Sequence, residues 1–239
     1  MPTLSIKEDN HLFRSFPDKE WEQILPFIEP VELSLDQVLY EPKMKMSHVY
    51  FPATALVSLL VSFADGFSVE TALIGNEGLI GISVFMGGES SSNRAVVQNK
   101  GLAYRIKSTI ILEMFHSSIP LMHLFLRYTQ ALITQKSQIS ACNRHHSLNQ
   151  RLCRLLLLSM DRSRGDELTL THELLSTLLG VRREGITEAA HELQSEGLIH
   201  YSRGHIKILD RQGLEDQTCE CYQVIKKEYA RLLPEKLAV

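Results

Sequence analysis

The feature that most constrains this chain is a long helical run in its middle, residues 119–142. After Pro120 the run contains no further proline and no glycine. At about 1.5 Å per residue it predicts a rod about 36 Å long. Its apolar and weakly polar side chains recur in steps of four and three, a heptad spacing that favours a second helix alongside. These positions are Leu121, Phe125, Tyr128, Leu132, Gln135, Ile139 and Cys142.

Two interpretations of this heptad pattern are open. The helix either packs against its own domain or forms the seam of a homodimer. We favour the seam, because a solitary long helix rarely keeps a strict repeat of 3.5 residues. Gln135 is the only polar seam residue in the middle of the helix, and buried there it would fix the register of the two chains. We therefore expect residues 119–146 to be a dimerisation helix followed by a hinge.

The segment before the long helix has the pattern of many short strands. A short helix is predicted over residues 12–30, and β-branched and aromatic residues then cluster in brief runs over residues 31–107. Glycine-containing turns separate these runs, as at residues 64–66. The predicted strands are Val31–Leu35, Val38–Tyr40, His48–Phe51, Ala55–Ser62, Phe67–Leu73, Arg94–Gln98 and Gly101–Ile106. Strands at this spacing indicate a sandwich, a roll or a barrel.

The segment from Leu168 to Asp210 predicts two short helices joined by a tight turn. Thr171 is suited to cap the first helix, which carries leucines on one face, and Gly180 is suited to end it. The second helix begins at about Arg182. Its apolar residues stand at i, i+3, i+4 and i+7, which predicts a narrow buried stripe. The stripe consists of Ile186, Ala189, Ala190 and Leu193.

This pair of helices matches the helix-turn-helix geometry, in which the second helix enters the DNA major groove with its N-terminal residues toward the bases. Arg183 can bind guanine O6 and N7 as a bidentate pair, and Glu184 can accept a hydrogen bond from cytosine N4. Thr171 and Arg182 stand at the N-termini of the two helices, and we expect both to contact phosphates. The expected base-reading residues are Arg183, Glu184, Thr187, Glu188 and His191.

A β-hairpin is predicted directly after the second helix. Residues 198–202 and 205–209 flank Arg203-Gly204, and this arrangement reads as the wing of a winged helix. We expect Arg203, His205 and Lys207 to contact the sugar–phosphate backbone.

Overall charge gives no support for nucleic-acid binding. The 239 residues carry a formal net charge of −3, so the case for DNA rests on a local surface. The acidic residues of the second helix oppose a phosphate-rich partner. An alternative is therefore a small-molecule or redox sensor that acts through a protein partner. No arrangement of residues carries a catalytic signature, so an enzyme is not expected.

No apolar stretch approaches the roughly 20 residues that a bilayer crossing needs, and the first residues lack the pattern of a secretory signal. We expect a cytoplasmic protein without a membrane partner.

With these motifs in place, the sequence resembles the Crp/Fnr family of bacterial regulators. The strongest motif runs from Leu178 to Glu188, and Gly197-Leu198-Ile199 with Ile206–Asp210 and Leu214 also fits. The resemblance implies an α+β fold: a β-roll sensor domain of the cyclic-nucleotide-binding type, a long dimer helix, a winged helix-turn-helix and a helical extension. The expected bounds are 1–118, 119–146, 147–211 and 212–239. The implied partners are double-stranded DNA, a second copy of the chain, and RNA polymerase as a candidate.

The sequence departs from the family pattern in the DNA-reading helix. Arg182 replaces the usual serine cap, and Glu188 stands where many members have a second DNA-reading arginine. Arg183 and Glu184 keep the base-reading pair of the family. The resemblance therefore predicts an operator that differs at one position of each half-site.

The expected effector pocket departs further from the family pattern. The family's ribose-binding glutamate is missing from Ile80-Gly81-Ile82, whereas Arg94 remains without its serine partner. We therefore do not expect binding of cyclic AMP, since an isoleucine leaves a ribose hydroxyl unpaired. Arg94, with Gln135 and Lys136, marks the expected effector pocket. Arg94 either binds another anion there or is an ordinary loop arginine.

The four cysteines, Cys142, Cys153, Cys219 and Cys221, are expected to be reduced thiols. None precedes Cys142, so the N-terminal iron–sulfur cluster of the oxygen-sensing members is not expected. Cys219-Glu220-Cys221 offers a metal or redox pair, but unremarkable thiols are the simpler interpretation. His145 and His146 point to different helix faces, which disfavours a shared metal. We expect no metal site and no cofactor.

Overall fold

The computed structural model describes residues 2–163 and 167–234, with side chains described from residue 6. The helices are α1 Pro2–Asp9, α2 His11–Arg14, α3 Asp18–Ile24, α4 Ser108–Ser117, α5 Ile119–His145, α6 Leu148–Arg162, α7 His172–Leu179, α8 Arg183–Ser195, α9 Arg211–Gln217 and α10 Glu220–Leu232. The strands are β1 Glu29–Leu33, β2 Val38–Tyr40, β3 His48–Pro52, β4 Leu56–Ser62, β5 Ser68–Ile74, β6 Arg94–Asn99, β7 Gly101–Lys107, β8 Glu167–Thr169, β9 Ile199–Ser202 and β10 His205–Ile208.

Strands β1 to β7 form two antiparallel sheets that together make a roll. One sheet has the order β1-β7-β3 and the other the order β2-β6-β4-β5. Buried apolar side chains such as Phe51, Val57 and Leu73 fill the space between them. Each strand lies within two residues of its predicted position, because alternating β-branched residues and glycine turns are local signals.

The N-terminal segment is more broken than the single helix predicted over residues 12–30. Pro17 stands at the N-cap of α3, and a 3₁₀ turn at Leu25–Phe27 contains a second proline, so the chain turns twice before β1. Phe13 of α2 stacks on Phe51 of β3 with 4.4 Å between ring centroids. This contact closes one end of the roll with aromatic side chains.

Helix α5 packs along the roll with the face that the heptad pattern had assigned to a dimer seam. The Tyr128 hydroxyl donates to the Leu79 carbonyl at 2.7 Å, and Phe125 stacks on Phe85 with 5.0 Å between centroids. A Cβ at Gly78 would lie 2.5 Å from the Tyr128 ring, so only glycine allows this approach.

The predicted seam is therefore wrong in this structure. Its seven residues are each at most 2% exposed within a single chain, which leaves them unable to contact a partner. They are Leu121, Phe125, Tyr128, Leu132, Gln135, Ile139 and Cys142. The heptad face is present, but it packs against the roll and α10 of the same chain. On the other side of α5, Ile119, Leu126 and Ile133 are 67%, 44% and 53% exposed, again at intervals of seven residues.

The winged-helix region follows α5 after a break at His146 and Ser147. Ser147 and Gln150 form a reciprocal capping box that starts α6. Strands β8, β10 and β9 form a small antiparallel sheet in that order. Helix α7 packs against β5, and α10 returns to pack along α5, so the roll and the winged-helix region touch at several places.

A buried arginine at the end of α6 joins these two regions. Arg162 pairs with Glu77, which follows β5, with 3.1 Å between Nε and Oε1. It also donates to the Leu73 carbonyl and, at 2.9 Å, to Gln135 Oε1. The Tyr229 hydroxyl of α10 donates to the same amide oxygen at 2.8 Å. Gln135 thus belongs to an internal polar network rather than to a dimer seam.

Across the described residues, no single helix meets the length and apolarity that a membrane crossing requires; one bent pair, α4 with α5, meets them by length and composition only, with 114° between its parts.

Candidate nucleic-acid interface

Helix α8 has the two-faced construction that its sequence predicts. The four residues of the apolar stripe, Ile186, Ala189, Ala190 and Leu193, are at most 3% exposed. The five expected base-reading residues are all exposed on the other side: Arg183, Glu184, Thr187, Glu188 and His191. Arg182 occupies the N-cap without a side-chain capping bond, so the backbone N–H groups of the first turn remain directed outward.

The turn that aims α8 depends on Gly180. This residue ends α7 with φ 64° and ψ 46°, a left-handed conformation that favours glycine. At the other end of α7, the Thr171 hydroxyl accepts the Leu174 N–H at 3.1 Å. Thr171 is exposed, and its predicted capping role is confirmed.

Thr187 is tied into the protein more closely than the sequence suggests. Its hydroxyl lies 3.1 Å from both the Arg183 carbonyl and His172 Nδ1. Burial, with a smaller contribution from Arg183, lowers the pKa of His172, so the ring is neutral at pH 7. A neutral ring that donates from Nδ1 allows the Thr187 hydroxyl to donate to Arg183. His172 also stacks on Tyr201 of the wing, with 4.4 Å between centroids. Thr187 therefore links α8 to α7 and, through His172, to the wing.

The wing turns at Arg203-Gly204, as predicted. Both residues have positive φ, 50° and 84°, which is the requirement of a two-residue hairpin turn with the right twist. Arg203, His205 and Lys207 are exposed. His205 Nδ1 lies 2.8 Å from Glu167 Oε1 on β8, so a phosphate would compete with this carboxylate.

One acidic residue of α8 and the acidic residue at its C-cap have partners within the chain. Glu192 accepts a hydrogen bond from the Asn149 amide, and Glu196 accepts one from the Gln217 amide. Both contacts lie at the C-terminal end of the helix, away from Arg183. The acids therefore serve the packing of α8 on its neighbours as well as opposing a phosphate partner.

The three residues of the expected effector pocket have different partners in the structure. Arg94 pairs with Glu41 at 3.0 Å and so has its charge balanced at the surface of the roll. Lys136 Nζ lies 3.4 Å from Asn93 Oδ1, and burial lowers the pKa of this lysine. The Gln135 amide donates to the Leu73 carbonyl and accepts a hydrogen bond from Arg162. The expectation that Gln135 faces an effector is therefore not supported.

One group of residues escaped the sequence interpretation. Cys142, His146, Cys219 and Cys221 bring their ligand atoms within 4.8 Å of one another. From the sequence these residues are expected to be separate, whereas the structure brings their side chains together. Cys142 and His146 stand at i and i+4 on one helix face, which was visible in the sequence. Their proximity to Cys219 depends on how α10 folds back, which no local pattern shows.

The paired helices, the left-handed turn and the wing define a winged helix-turn-helix DNA-binding protein. Residues 150–217 match the family model of the Crp-like helix-turn-helix domain. No curated protein matches the chain.

Solved structures extend the likeness beyond the winged helix. A Crp/Fnr-family transcriptional regulator from Eubacterium rectale has a TM-score of 0.68 at 18% identity, covering 88% of this chain and 98% of that one. FixK2 from Bradyrhizobium japonicum has a TM-score of 0.68 at 16% identity, with 80% and 98% covered. A CRP/FNR-family regulator from Thermus thermophilus has a TM-score of 0.63 at 19% identity, with 79% and 97% covered. The chain thus carries a Crp-like helix-turn-helix domain within the Crp/Fnr regulator fold, as the sequence resemblance predicted.

Proposed function

We propose that this protein is a cytoplasmic transcription regulator that binds a near-palindromic operator as a homodimer. The observation that carries the proposal is the exposure of Arg183 and Glu184 on the first turn of α8, opposite a stripe that is fully packed. A rigid helix with this polarity can place both side chains at base edges in a major groove. Phosphate contacts from the helix starts and the wing would supply most of the affinity.

The homodimer is supported by the exposed stripe on α5. Ile119, Leu126 and Ile133 lie at heptad spacing on a helix whose other face is already buried. A second copy of α5 packed along this stripe would shield three large apolar side chains from water and form a two-fold axis. That axis would present two copies of α8 about one DNA turn apart.

The test begins with selection of bound sequences from random DNA, which gives the cognate site. Arg183→Ala should then lose about 1–3 kcal/mol, or 5- to 160-fold in affinity, at that site and little on random DNA. The matched control is Arg105→Ala, which removes the same charge from the roll, where Arg105 pairs with Glu29.

An equal loss on both DNAs would remove Arg183 from base reading. Failure to select any sequence would favour the alternative, a sensor that acts through a protein partner.

We further propose that cyclic AMP does not control this protein. Ile82 supplies no carboxylate for a ribose hydroxyl, and the Arg94 charge is matched by Glu41. Titration calorimetry with cyclic AMP should show no saturable heat, and a saturable one-to-one isotherm would overturn this part of the proposal.

A further inference from the structure

The four residues that the sequence treated as separate thiols and a hinge histidine form a compact cluster where two helix ends meet. Cys142 lies on the last turn of α5, and His146 caps that helix. Cys219 caps the start of α10, and Cys221 lies on its first turn. Three of the four side chains are buried, and the imidazole is partly so. This cluster, Cys142, His146, Cys219 and Cys221, is called the Cys₃His cluster below.

The ligand atoms of the Cys₃His cluster are close enough together for a tetrahedral metal site. The Sγ atoms of Cys142 and Cys219 are 3.5 Å apart, and Cys221 Sγ lies 3.5 Å from His146 Nδ1. With zinc–sulfur bonds of about 2.3 Å and a zinc–nitrogen bond of about 2.0 Å, tetrahedral geometry places sulfurs about 3.8 Å apart and sulfur and nitrogen about 3.5 Å apart. The widest pair in the cluster is within 4.8 Å, so small side-chain rotations suffice to close the site.

The groups around the cluster are arranged as they are around a protein zinc site. His146 Nε2 lies 3.3 Å from Glu220 Oε2, so the carboxylate can hold the proton on Nε2 and leave Nδ1 to face the sulfurs. The Gln138 amide donates to Cys221 Sγ at 3.2 Å. A carboxylate behind the histidine and an amide donor to a thiolate both stabilise a metal-bound ligand set.

The electrostatic surroundings also suit an anionic centre. Three thiolates and a divalent ion carry a net charge of −1 together. The amino end of α10, on which Cys219 and Cys221 stand, carries a partial positive charge. Arg154 of α6 is 3% exposed and donates to Asn143 beside the cluster, while its Nε has no hydrogen-bond partner. A nearby negative centre would balance this buried charge.

We propose that Cys142, His146, Cys219 and Cys221 bind one Zn²⁺ ion per chain. Three cysteines and one histidine form a donor set that structural zinc sites use, and the buried location leaves no open position for a substrate.

The position of the site gives it a regulatory consequence, which rests on the proposed function. The ligands come from both sides of residues 147–218, which contain the winged helix. A bound ion would fix the start of α10 to the end of α5 and so hold the winged-helix region at one orientation to the long helix. Loss of the ion would free that hinge.

The first measurement is the metal content of the full-length chain, purified under reducing, oxygen-free conditions. It is determined by inductively coupled plasma mass spectrometry. We expect about one zinc per chain. Replacement by Co²⁺ should give the intense visible bands of a tetrahedral thiolate site. His146→Ala should lose the metal, whereas His145→Ala, which changes the exposed neighbour outside the cluster, should keep it. Cys221→Ser and Cys153→Ser, which changes a buried cysteine outside the ligand set, form a second matched pair.

Glu220→Gln guards against variants that simply unfold, because the Glu220 side chain is 71% exposed. It should keep the fold and weaken zinc affinity about 10- to 100-fold in competition with a chelator. The proposal is overturned by a wild-type chain without stoichiometric zinc, by equal metal content in the His145 and His146 variants, or by a Glu220 variant with unchanged affinity. A Cys142–Cys219 disulfide isolated in place of the metal would also overturn it. These readouts need no DNA, so they stand apart from the proposed function.

Discussion

Arg162 offers the most direct test of how the roll and the winged-helix region are joined. Its guanidinium is 4% exposed and its partner carboxylate on Glu77 is 11% exposed. Arg162→Met removes the charge but keeps much of the volume. The variant leaves the Glu77 carboxylate buried with backbone donors alone, the Gly75 N–H at 2.9 Å and the N–H of Glu77 itself. Breaking one side of such a pair costs about 3–5 kcal/mol, because an uncompensated charge remains in the interior.

That loss corresponds to a fall in melting temperature of roughly 6–20 °C for a chain of this size, measurable by scanning calorimetry. Glu77→Gln is the partner variant for a double-mutant cycle, since it removes the negative charge and keeps an acceptor for Gly75. Each single change leaves one buried charge, whereas the double variant leaves none. The double variant should therefore lose about 1–3 kcal/mol less than the sum of the two singles.

The pH dependence has a defined sign. Burial raises the pKa of Glu77 above its ordinary value, while Arg162 opposes that rise and Asp161 adds to it. Without Arg162 the pKa rises further. A carboxyl whose pKa is higher in the folded state loses stability as pH rises through that value and regains it as pH falls. The deficit of Arg162→Met should therefore shrink from pH 7.5 to pH 5.5, and the shrinkage should vanish in the Glu77→Gln background. Additive single changes, or a deficit that is constant with pH, would refute the buried ion pair.

Three further predictions concern the dimer, the turn and the wing. Ile133→Glu should shift the chain toward monomer in analytical ultracentrifugation, whereas Met44→Glu, at a comparably exposed residue of the roll, should not; a dimer in both would exclude the α5 stripe. Gly180→Ala should lose about 1–2 kcal/mol of stability from its positive φ, and more from the contact of the new Cβ, 3.1 Å from Val69. Gly197→Ala is the control for the backbone effect alone, since Gly197 has φ +75° and open space around it. Equal losses in the two variants would show that the Val69 contact costs nothing. Arg203→Asn keeps a residue that tolerates φ 50° and should reduce the salt dependence of DNA binding by about one ion; an unchanged slope would remove Arg203 from the phosphate contacts.

The sequence predicts those parts of the fold whose signals are local. The strands of the roll follow from alternation and turn residues, and Gly180 marks the turn because one backbone conformation there favours glycine. The face of α8 follows from the spacing of four small or apolar residues. In each case the decisive information lies within about a dozen residues.

The dimer seam could not be predicted in the same way, because α5 carries two apolar heptad stripes. The richer stripe, which contains Phe125 and Tyr128, packs on the chain's own roll, and the sparser one with Ile119 and Ile133 faces outward. Heptad spacing indicates that a helix has a partner surface and does not say whether that surface is in the same chain. The Cys₃His cluster could not be predicted for a related reason. Cys142 and Cys219 meet only because α10 folds back along α5.

Because α10 folds back, α5 contacts both the roll and the start of α10, and so connects the roll to the winged-helix region. One side of the helix is fixed to the roll through Tyr128 and to the Arg162 network through Gln135. Its C-terminal end meets the start of α10 at the Cys₃His cluster, and the start of α6 follows within three residues. A change at the roll can reach α8 either through Arg162 or through the helix end, and these routes are separable. Arg162→Met cuts the first and leaves the cysteines in place, whereas His146→Ala cuts the second and leaves the ion pair. If both contacts fix the orientation of the winged helix, each variant alone should alter DNA affinity. Releasing either contact leaves the winged-helix region free to rotate about the other.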